Sequence, residues 1–279
     1  MATVGIVLAV IAAVALLAWL AISALPEERK RRFAKGANRL FNGAEARGLF
    51  PRQPAFVHDY HRDYPGLKAL EDGAAAVREE CLELLGIKER LTDIEALGGN
   101  YTTGGIHAIR WKSFMFKSGE FIGSNCALAP RTTALLKDIR GLYTAFFSIL
   151  DPNQYITPHF GYYKGFLRYH LGVLIPDNNA GNKCWLRINA DREDNLRRDR
   201  SLIETGERYY WREGEGVIFD DTYLHDASNE SDAVRVVLWL DIRRKMPFYL
   251  NWLNVFFLFI AHRDGSLRKI RETATIARS

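Results

Sequence analysis

Cysteine is scarce in this chain of 279 residues. Its three cysteines, Cys81, Cys126 and Cys184, form no metal-binding spacing and no even disulfide framework, so a reducing compartment fits the sequence best. Strong charge is missing as well, since the net charge is +5 and the pI is near 9.1. This mildly basic balance suits a negatively charged membrane surface or nucleic acid. The sequence contains no nucleic-acid-binding motif, so no nucleic-acid partner is expected.

Charged residues are absent from Ala2 to Leu25. These 24 residues are enough to cross a bilayer as a helix, and no positive charge precedes them as a cleaved signal peptide would require. Five basic residues follow them instead: Arg29, Lys30, Arg31, Arg32 and Lys35. Because positive charge favours the cytoplasmic side, the pattern predicts a single-pass transmembrane anchor at 1–25 in the inner (cytoplasmic) membrane, with the rest of the chain in the cytoplasm.

The rest of the chain is long enough for one sizeable domain with attachments. Residues 26–65 mix Gly, Arg, Pro and aromatic residues without a clear period, which indicates a juxtamembrane connector. Residues 66–245 form the predicted catalytic domain. We expect it to begin with a helix at Leu67–Leu85, followed by a strand at Ile109–Lys117 and a helix at Pro130–Arg140.

The character of the sequence changes at Leu142, where short apolar and aromatic runs are separated by Pro, Gly and Asn. Such runs are typical of all-β folds. We therefore predict a mainly β fold, a double-stranded β-helix of the jelly-roll or cupin-like kind, with its core at 142–242, flanking helices and the N-terminal transmembrane helix. The predicted strands are Leu142–Ile149, Tyr155–Pro158, Phe166–Ile175, Lys183–Ile188, Tyr209–Trp211, Gly216–Phe219 and Val234–Ile242.

Two stretches have more than one interpretation. Residues 246–261 are apolar and aromatic but too short for an ordinary membrane span, so they form either a helix in the membrane interface or a core or dimer helix. The charged run at 191–200 is either a solvated loop or a cover over the mouth of the site, where its arginines meet an anionic headgroup. The tail at 262–279 is basic and is expected to be mobile.

The residues suited to chemistry lie in two segments that we interpret as the walls of one site. Arg168 and His170 are two residues apart on a predicted strand, which places both side chains on one face. His159 and His225 come from separate segments, and two neutral imidazoles suit Fe(II). Arg235 follows ten residues after the second of these histidines, and a guanidinium group there suits a cosubstrate with a terminal carboxylate.

A third metal ligand is missing from its usual place. Non-haem iron sites of this kind commonly have two His and one carboxylate, and the carboxylate often lies two residues after the first His. This chain has Gly161 at that position. Either two protein ligands hold the metal, or a carboxylate arrives from elsewhere. Asp221 is the nearest candidate by sequence. We expect it to contact the residues that bind the metal and to orient them, rather than to bind the metal itself.

This pattern resembles the aspartyl/asparaginyl β-hydroxylase family of Fe(II)- and 2-oxoglutarate-dependent dioxygenases, including its membrane-anchored bacterial lipid A hydroxylase branch. The resemblance implies that His159 and His225 bind Fe(II) and are catalytic. It also implies that Arg235 and Ser148 hold the distal carboxylate of 2-oxoglutarate, while Arg168 and His170 hold its other end. The matching text is Ser148-Ile149, Pro158-His159-x-Gly161, Leu167-Arg168-x-His170-Leu171-Gly172, Phe219-Asp220-Asp221-Thr222, His225 and Arg235.

The resemblance implies a hydroxylase that consumes molecular oxygen. Together with the apolar stretches, it predicts a membrane-anchored enzyme that hydroxylates an acyl chain of a membrane lipid, of the lipid A or ornithine-lipid type. Gly161 keeps a second hypothesis open, because family members that hydroxylate Asp or Asn side chains of proteins have Gly at the matching position, whereas lipid A hydroxylases tend to have Asp. The missing carboxylate keeps a third hypothesis open, a catalytically silent membrane scaffold.

Overall fold

Two antiparallel sheets dominate the computed structural model of the protein, which describes residues 27–98, 110–262 and 265–276. The strands are β1 Thr92–Asp93, β2 Trp111–Ser118, β3 Glu120–Phe121, β4 Leu142–Leu150, β5 Gln154–Phe160, β6 Phe166–Leu174, β7 Cys184–Asn189, β8 Glu207–Tyr210, β9 Gly216–Phe219, β10 Leu224–Asn229 and β11 Arg235–Arg243. The major sheet has the order β1-β2-β4-β11-β6-β9, with β3 beside β2. The minor sheet has the order β5-β10-β7-β8.

Alternation along the long strands of the major sheet separates its two faces. On β6, Leu167 and Tyr169 join one apolar core, while Arg168 and His170 point to the opposite side. A second apolar core contains residues of both sheets, such as Trp239 of β11 and Leu186 of β7. The sheets therefore face each other across a shared interior, which is the plan of a jelly roll. The prediction of a mainly β fold with flanking helices is confirmed.

Helices cover the outer face of the major sheet. They are α2 Pro65–Asp72, α3 Ala74–Leu85 and α6 Pro130–Lys137, whose apolar residues share the outer core with β4, β6 and β11. The prediction of one continuous helix at Leu67–Leu85 is wrong, because the helix breaks at Gly73. A Cβ at Gly73 would lie 2.6 Å from a methyl group of Leu135, so a larger residue at the junction would make the Leu135 side chain of α6 shift.

A further helix precedes the sandwich in the region expected to be a connector. This helix, α1 at Glu27–Ala46, packs through Phe41 against Tyr163 and against Phe257 of α8, the helix at Phe248–His262. Glu45 of α1 also pairs with the buried Lys164, with 2.9 Å between its Oε1 and the lysine Nζ. The segment is therefore attached to the domain by an aromatic cluster and an ion pair.

The remaining helices are short, apart from one in the C-terminal tail: α4 Ile94–Leu97, α5 Gly123–Cys126, α7 Arg192–Arg197 and α9 Gly265–Ala274. The tail, expected to be mobile, contains α9, which packs against β2 with Ile270 and Ala274 buried. The predicted anchor at 1–25 lies outside the described residues. Among the helices that the structure describes, none combines the length and the apolar character that crossing a bilayer requires.

Candidate active site

A narrow cavity between the two sheets collects the predicted site residues. Six of the seven line it: Ser148, His159, Arg168, His170, His225 and Arg235. The free volume is about 20 Å³ in this conformation, so a five-carbon diacid enters only if lining side chains turn aside. The two sheets supply different chemistry, because the minor sheet contributes His159 and His225 and the major sheet contributes the other four residues.

The two histidines lie directly opposite each other on neighbouring strands. His159 of β5 pairs in register with His225 of β10, and their ring centroids are 4.1 Å apart. Each Nδ1 lies 2.8 Å from a backbone carbonyl oxygen, that of Thr157 for His159 and that of Tyr223 for His225. Since a carbonyl oxygen only accepts, each Nδ1 carries the proton, and each Nε2 keeps the lone pair that a metal ion needs.

Burial keeps both imidazoles neutral. It lowers the pKa of His159 to about 4, and it places the pKa of His225 well below its usual range, with the neighbouring His159 adding to the effect. Neutral imidazole is the form that binds a metal ion, so the pair is ready for one at neutral pH without releasing protons.

Asp221 occupies the space that a side chain at position 161 would need. A Cβ built on Gly161 would lie 2.2 Å from Asp221 Oδ2, and the Gly161 N–H donates to the Asp221 carbonyl oxygen at 2.7 Å. The Asp221 carboxylate lies 2.8 Å from an Nη of Arg168. Within the described part of the chain, no group of three or more His, Cys, Asp or Glu residues is arranged to hold a metal ion. Two imidazoles are thus the donor set that the structure offers.

Arg235 carries a buried positive charge without a counter-charge. The residue is 2% exposed, its Nε has no hydrogen-bond partner, and no carboxylate of the described residues lies within ion-pair distance. Burial lowers its pKa to about 10, which still leaves it protonated at neutral pH. Ser148 lies on the adjacent strand and accepts a hydrogen bond from Trp111 Nε1 at 2.9 Å, which leaves its own hydroxyl proton for another acceptor. This end of the cavity suits a carboxylate.

Arg168 and His170 line the stretch of cavity between that end and the histidine pair. Arg168 stacks over Trp239 at 3.9 Å and pairs with Asp241, with 3.0 Å between its Nε and Oδ1. Both ring nitrogens of His170 are buried without a hydrogen-bond partner in the described structure. Burial lowers the pKa of His170 well below its usual range, so the ring is neutral and can donate from one nitrogen.

The family model for aspartyl/asparaginyl beta-hydroxylase matches residues 71–245. The chain belongs to the aspartyl/asparaginyl β-hydroxylase family. An ornithine lipid ester-linked acyl 2-hydroxylase of Rhizobium tropici is 32% identical over 198 residues, which cover 70% of this chain and 60% of that protein. Aspartate beta-hydroxylase domain-containing protein 2 of Xenopus tropicalis is 32% identical over 142 residues, which cover 47% of this chain and 33% of that protein.

The chain thus spans 60% or less of the length of these relatives of the aspartyl/asparaginyl β-hydroxylase family. Among solved structures, the non-heme alpha ketoglutarate dependent carbocyclase SnoK from nogalamycin biosynthesis aligns with 62% of this chain and 75% of its own. Its TM-score is 0.41 at 14% identity, which is too low to support an argument about function.

Several lining residues of this aspartyl/asparaginyl β-hydroxylase family member were not predicted. Trp111, Trp211 and Trp239 line the cavity, and Asp241 holds Arg168 and accepts from Trp239 Nε1 at 3.2 Å. A signal for two of them exists in the sequence, because Trp239 and Asp241 continue the alternation from Arg235 along β11. Trp211 was predicted as the last residue of a strand at Tyr209–Trp211, and it lies just beyond the end of β8.

The charged run at 191–200 packs beside β5 and β10, the two strands that carry the histidine pair. It forms α7, and the guanidinium of Arg198 stacks on the ring of Phe160 at 3.6 Å, next to His159 in the chain. Asn195 accepts from the backbone N–H of Leu224 at 2.8 Å, which ties the segment to β10. Burial lowers the pKa of Arg198, and the neighbouring positive charge of Arg200 lowers it further. A guanidinium group therefore lies beside β5, one residue along the chain from His159.

Proposed function

We propose that this protein is an Fe(II)- and 2-oxoglutarate-dependent dioxygenase that hydroxylates an acyl chain of a membrane lipid, of the lipid A or ornithine-lipid type. The observation that carries the proposal is the meeting, in one cavity, of two neutral imidazoles with free Nε2 lone pairs and a buried guanidinium that lacks a counter-charge. The first arrangement fits a ferrous ion, and the second fits the far carboxylate of a keto-diacid.

Each residue has a defined task in this proposal. His159 and His225 would hold Fe(II), with their backbone hydrogen bonds fixing the ring orientation. Arg235 and Ser148 would bind the distal carboxylate of 2-oxoglutarate, and Arg168 and His170 would bind its other end. When bound, iron and 2-oxoglutarate supply the oxygen activation that hydroxylation of a C–H bond requires. The tryptophans that line the cavity exclude water from this chemistry.

Three observations support a lipid substrate. The Rhizobium tropici relative is named for hydroxylation of an ornithine lipid acyl group. Residues 2–25 carry no charge, so we further propose that they anchor the protein by a single pass in the inner membrane, with the catalytic domain on the cytoplasmic side. The guanidinium of Arg198, stacked on Phe160 next to His159 in the chain, suits the anionic headgroup of such a lipid.

Lipid mass spectrometry tests the proposal directly. Lipids are extracted from cells that express the full chain, a His225→Ala variant, or neither. We expect one lipid class to gain the mass of one oxygen only with the unaltered chain. An Arg187→Lys variant serves as the matched control, because Arg187 is buried on the other side of the minor sheet and pairs with Asp226. An oxygen gain that survives the loss of His225 would contradict the proposed metal site.

Gly161 supports a second candidate, hydroxylation of Asp or Asn side chains in a protein substrate. No side chain fits at this position while Asp221 occupies the space, so the chain keeps the glycine expected of protein-hydroxylating members. Succinate formation by the full chain, measured with lipid vesicles and separately with Asp- and Asn-containing peptides, distinguishes the two candidates. Turnover with peptides alone would replace the lipid proposal. No binding of Fe(II) or 2-oxoglutarate would favour a silent scaffold.

A further inference from the structure

The outward face of α8 is apolar along its length. Phe248, Trp252, Val255 and Phe259 follow the four-three-four spacing that places residues on one side of a helix. Phe248 is 78% exposed and Trp252 is 75% exposed, while Val255 and Phe259 are 39% and 45% exposed. We call these four residues the α8 stripe. Residues 248–262 contain no Lys, Arg, Asp or Glu, whereas the exposed side of a helix in water is usually charged.

The opposite face of α8 is held firmly, so the helix cannot roll over to bury the stripe. Asn254 is fully buried, donates from Nδ2 to the Gly165 carbonyl oxygen at 2.9 Å, and accepts from the Tyr163 hydroxyl at 2.8 Å. Leu250 is buried one turn earlier, and Phe257 packs edge-on against Phe41 of α1. Rolling the helix would break both hydrogen bonds and expose these side chains instead.

The stripe is too small for a stable dimer and is as large as the largest apolar patches of monomeric proteins. A fully exposed aromatic side chain presents roughly 150–250 Å², so the stripe together with the half-exposed Tyr249 presents on the order of 500 Å². Stable protein interfaces bury about 800 Å² per partner, and the largest apolar patches of monomers reach about 300–600 Å² and are often functional. Size therefore argues against a second copy of the chain.

The neighbouring helix indicates what covers the stripe. α1 packs directly on α8, and the sequence that leads into α1 is uncharged from 2 to 25. The first turns of α1 then carry a run of basic residues that an anionic lipid surface attracts: Arg29, Lys30, Arg31, Arg32 and Lys35. Basic residues and exposed aromatic side chains thus belong to two helices in contact, and the sequence before the first of them is uncharged. Trp and Tyr favour the membrane interface.

We propose that the α8 stripe lies in the interface of an anionic phospholipid bilayer, with Trp252 among the lipid headgroups and upper acyl chains. This docking does not depend on catalysis. It also bears on the site, because α1 and α8 both hold the loop that follows the strand of His159. Asn38 of α1 accepts from the Lys164 N–H at 2.9 Å, and Asn254 of α8 bonds to both Tyr163 and Gly165. A membrane at the stripe would therefore lie close to the loop that follows β5, the strand of a proposed metal ligand.

Quenching of Trp252 by brominated lipids tests the proposal. The full chain and its Trp252→Phe variant are reconstituted in phosphatidylcholine and phosphatidylglycerol vesicles, with bromine at shallow or deep acyl positions. The difference between the two emission spectra isolates Trp252. We expect the emission of Trp252 to fall at least about twofold with bromine at the shallow position, and to fall less with bromine at the deep position. The reason is that interfacial helices bury their apolar face only about 5–10 Å. Trp252→Phe changes an exposed side chain, so folding should be preserved.

Trp185 provides the matched control, because it is 5% exposed on β7 of the minor sheet. The difference spectrum of a Trp185→Phe variant should be the same with and without bromine. A Trp252 signal that bromine leaves unchanged would overturn the proposal. A second result would also overturn it: a Trp252 signal that neither bromine nor aqueous iodide quenches at high protein density, although both quench it at low density. That result would mean that a second copy of the chain covers the stripe.

Discussion

Replacing Arg235 by Met should make the protein more stable and at the same time weaken its binding of 2-oxoglutarate. The guanidinium is buried without a counter-charge, and burial lowers its pKa from 12.5 to about 10. Each pKa unit corresponds to about 1.4 kcal/mol, so burial destabilises the charged form of Arg235 in the folded state by about 3 kcal/mol. The charge is present at every pH below 10, so the cost applies throughout the neutral range.

Methionine has a similar length and no charge, so it removes this cost. The substitution also removes the stacking of Arg235 over Trp211, where 4.6 Å separates the guanidinium carbon from the ring centroid, and such contacts contribute about 1 kcal/mol. The net gain is then about 2 kcal/mol, or a rise in Tm of roughly 4–8 °C for a protein of this size. Loss of a buried charged contact costs about 2–5 kcal/mol in binding, so 2-oxoglutarate affinity should fall at least about 30-fold.

Thermal unfolding of the metal-free full chain and calorimetric titration with 2-oxoglutarate in the presence of Mn(II) measure the two effects. Arg187→Met is the matched control, because Arg187 is buried like Arg235 but pairs with Asp226, with 2.7 Å between Nη2 and Oδ2. That variant should lose about 3–5 kcal/mol of stability and keep its 2-oxoglutarate affinity. If Arg235→Met lowers the Tm as the control does, or if its affinity for 2-oxoglutarate falls much less than about 30-fold, the assignment of an anion site to Arg235 is wrong.

Gly161→Ala should lower the free energy of unfolding by about 1–3 kcal/mol in chemical denaturation, because the new Cβ would meet the Asp221 carboxylate. Gly36→Ala is the control and should not lower it, because no atom lies within 4 Å of a Cβ at that position. Co(II) affinity should stay nearly constant from about pH 7.5 to 5.5, since His159 has a pKa of about 4 and stays neutral. The folded pKa of His159 lies below the unfolded value of 6.5, so the unfolded chain binds protons first, and the stability of the metal-free protein should fall as the pH falls from 6.5 towards 4. Arg198→Ala should raise KM for an anionic lipid about two- to fivefold in a succinate assay without changing kcat, and Arg197→Ala should not, because Arg197 faces Asp194.

Strand alternation made much of this cavity predictable from the sequence. Arg168 and His170 are two residues apart, so any strand through them places both on one face, and the structure does so on β6. The pairing of His159 with His225 was not predictable in this way, because β10 was not recognised as a strand. Its sequence, LHDASN, is mostly polar and looks like a loop. Those polar groups are satisfied inside the fold, as in the three hydrogen bonds that Asn229 Nδ2 donates to backbone carbonyls.

Contacts between residues far apart in the chain were the features of the site that the sequence predicted least well. Asp220 accepts from the Thr222 N–H at 3.1 Å, a local contact of the kind that turn residues make. It also pairs with Lys164 and Arg244, whose charges outweigh burial and lower the pKa of Asp220 to about 2. The reason for glycine at position 161 is likewise the proximity of Asp221, sixty positions away. A local pattern records which face a side chain takes but does not record which distant side chain it meets.

The division of the site between two sheets has a mechanical consequence. The histidine pair belongs to the minor sheet, while Arg235 and Ser148 belong to the major one, and the interior between them is mostly apolar. A keto-diacid bound at both ends would link the two sheets of the sandwich. Backbone amides at the centre of β10 and β11 should then exchange with deuterium more slowly once metal and diacid are both present, and less so with either alone. Affinity for the diacid would in turn depend on how rigidly the rest of the barrel keeps those layers at a fixed separation.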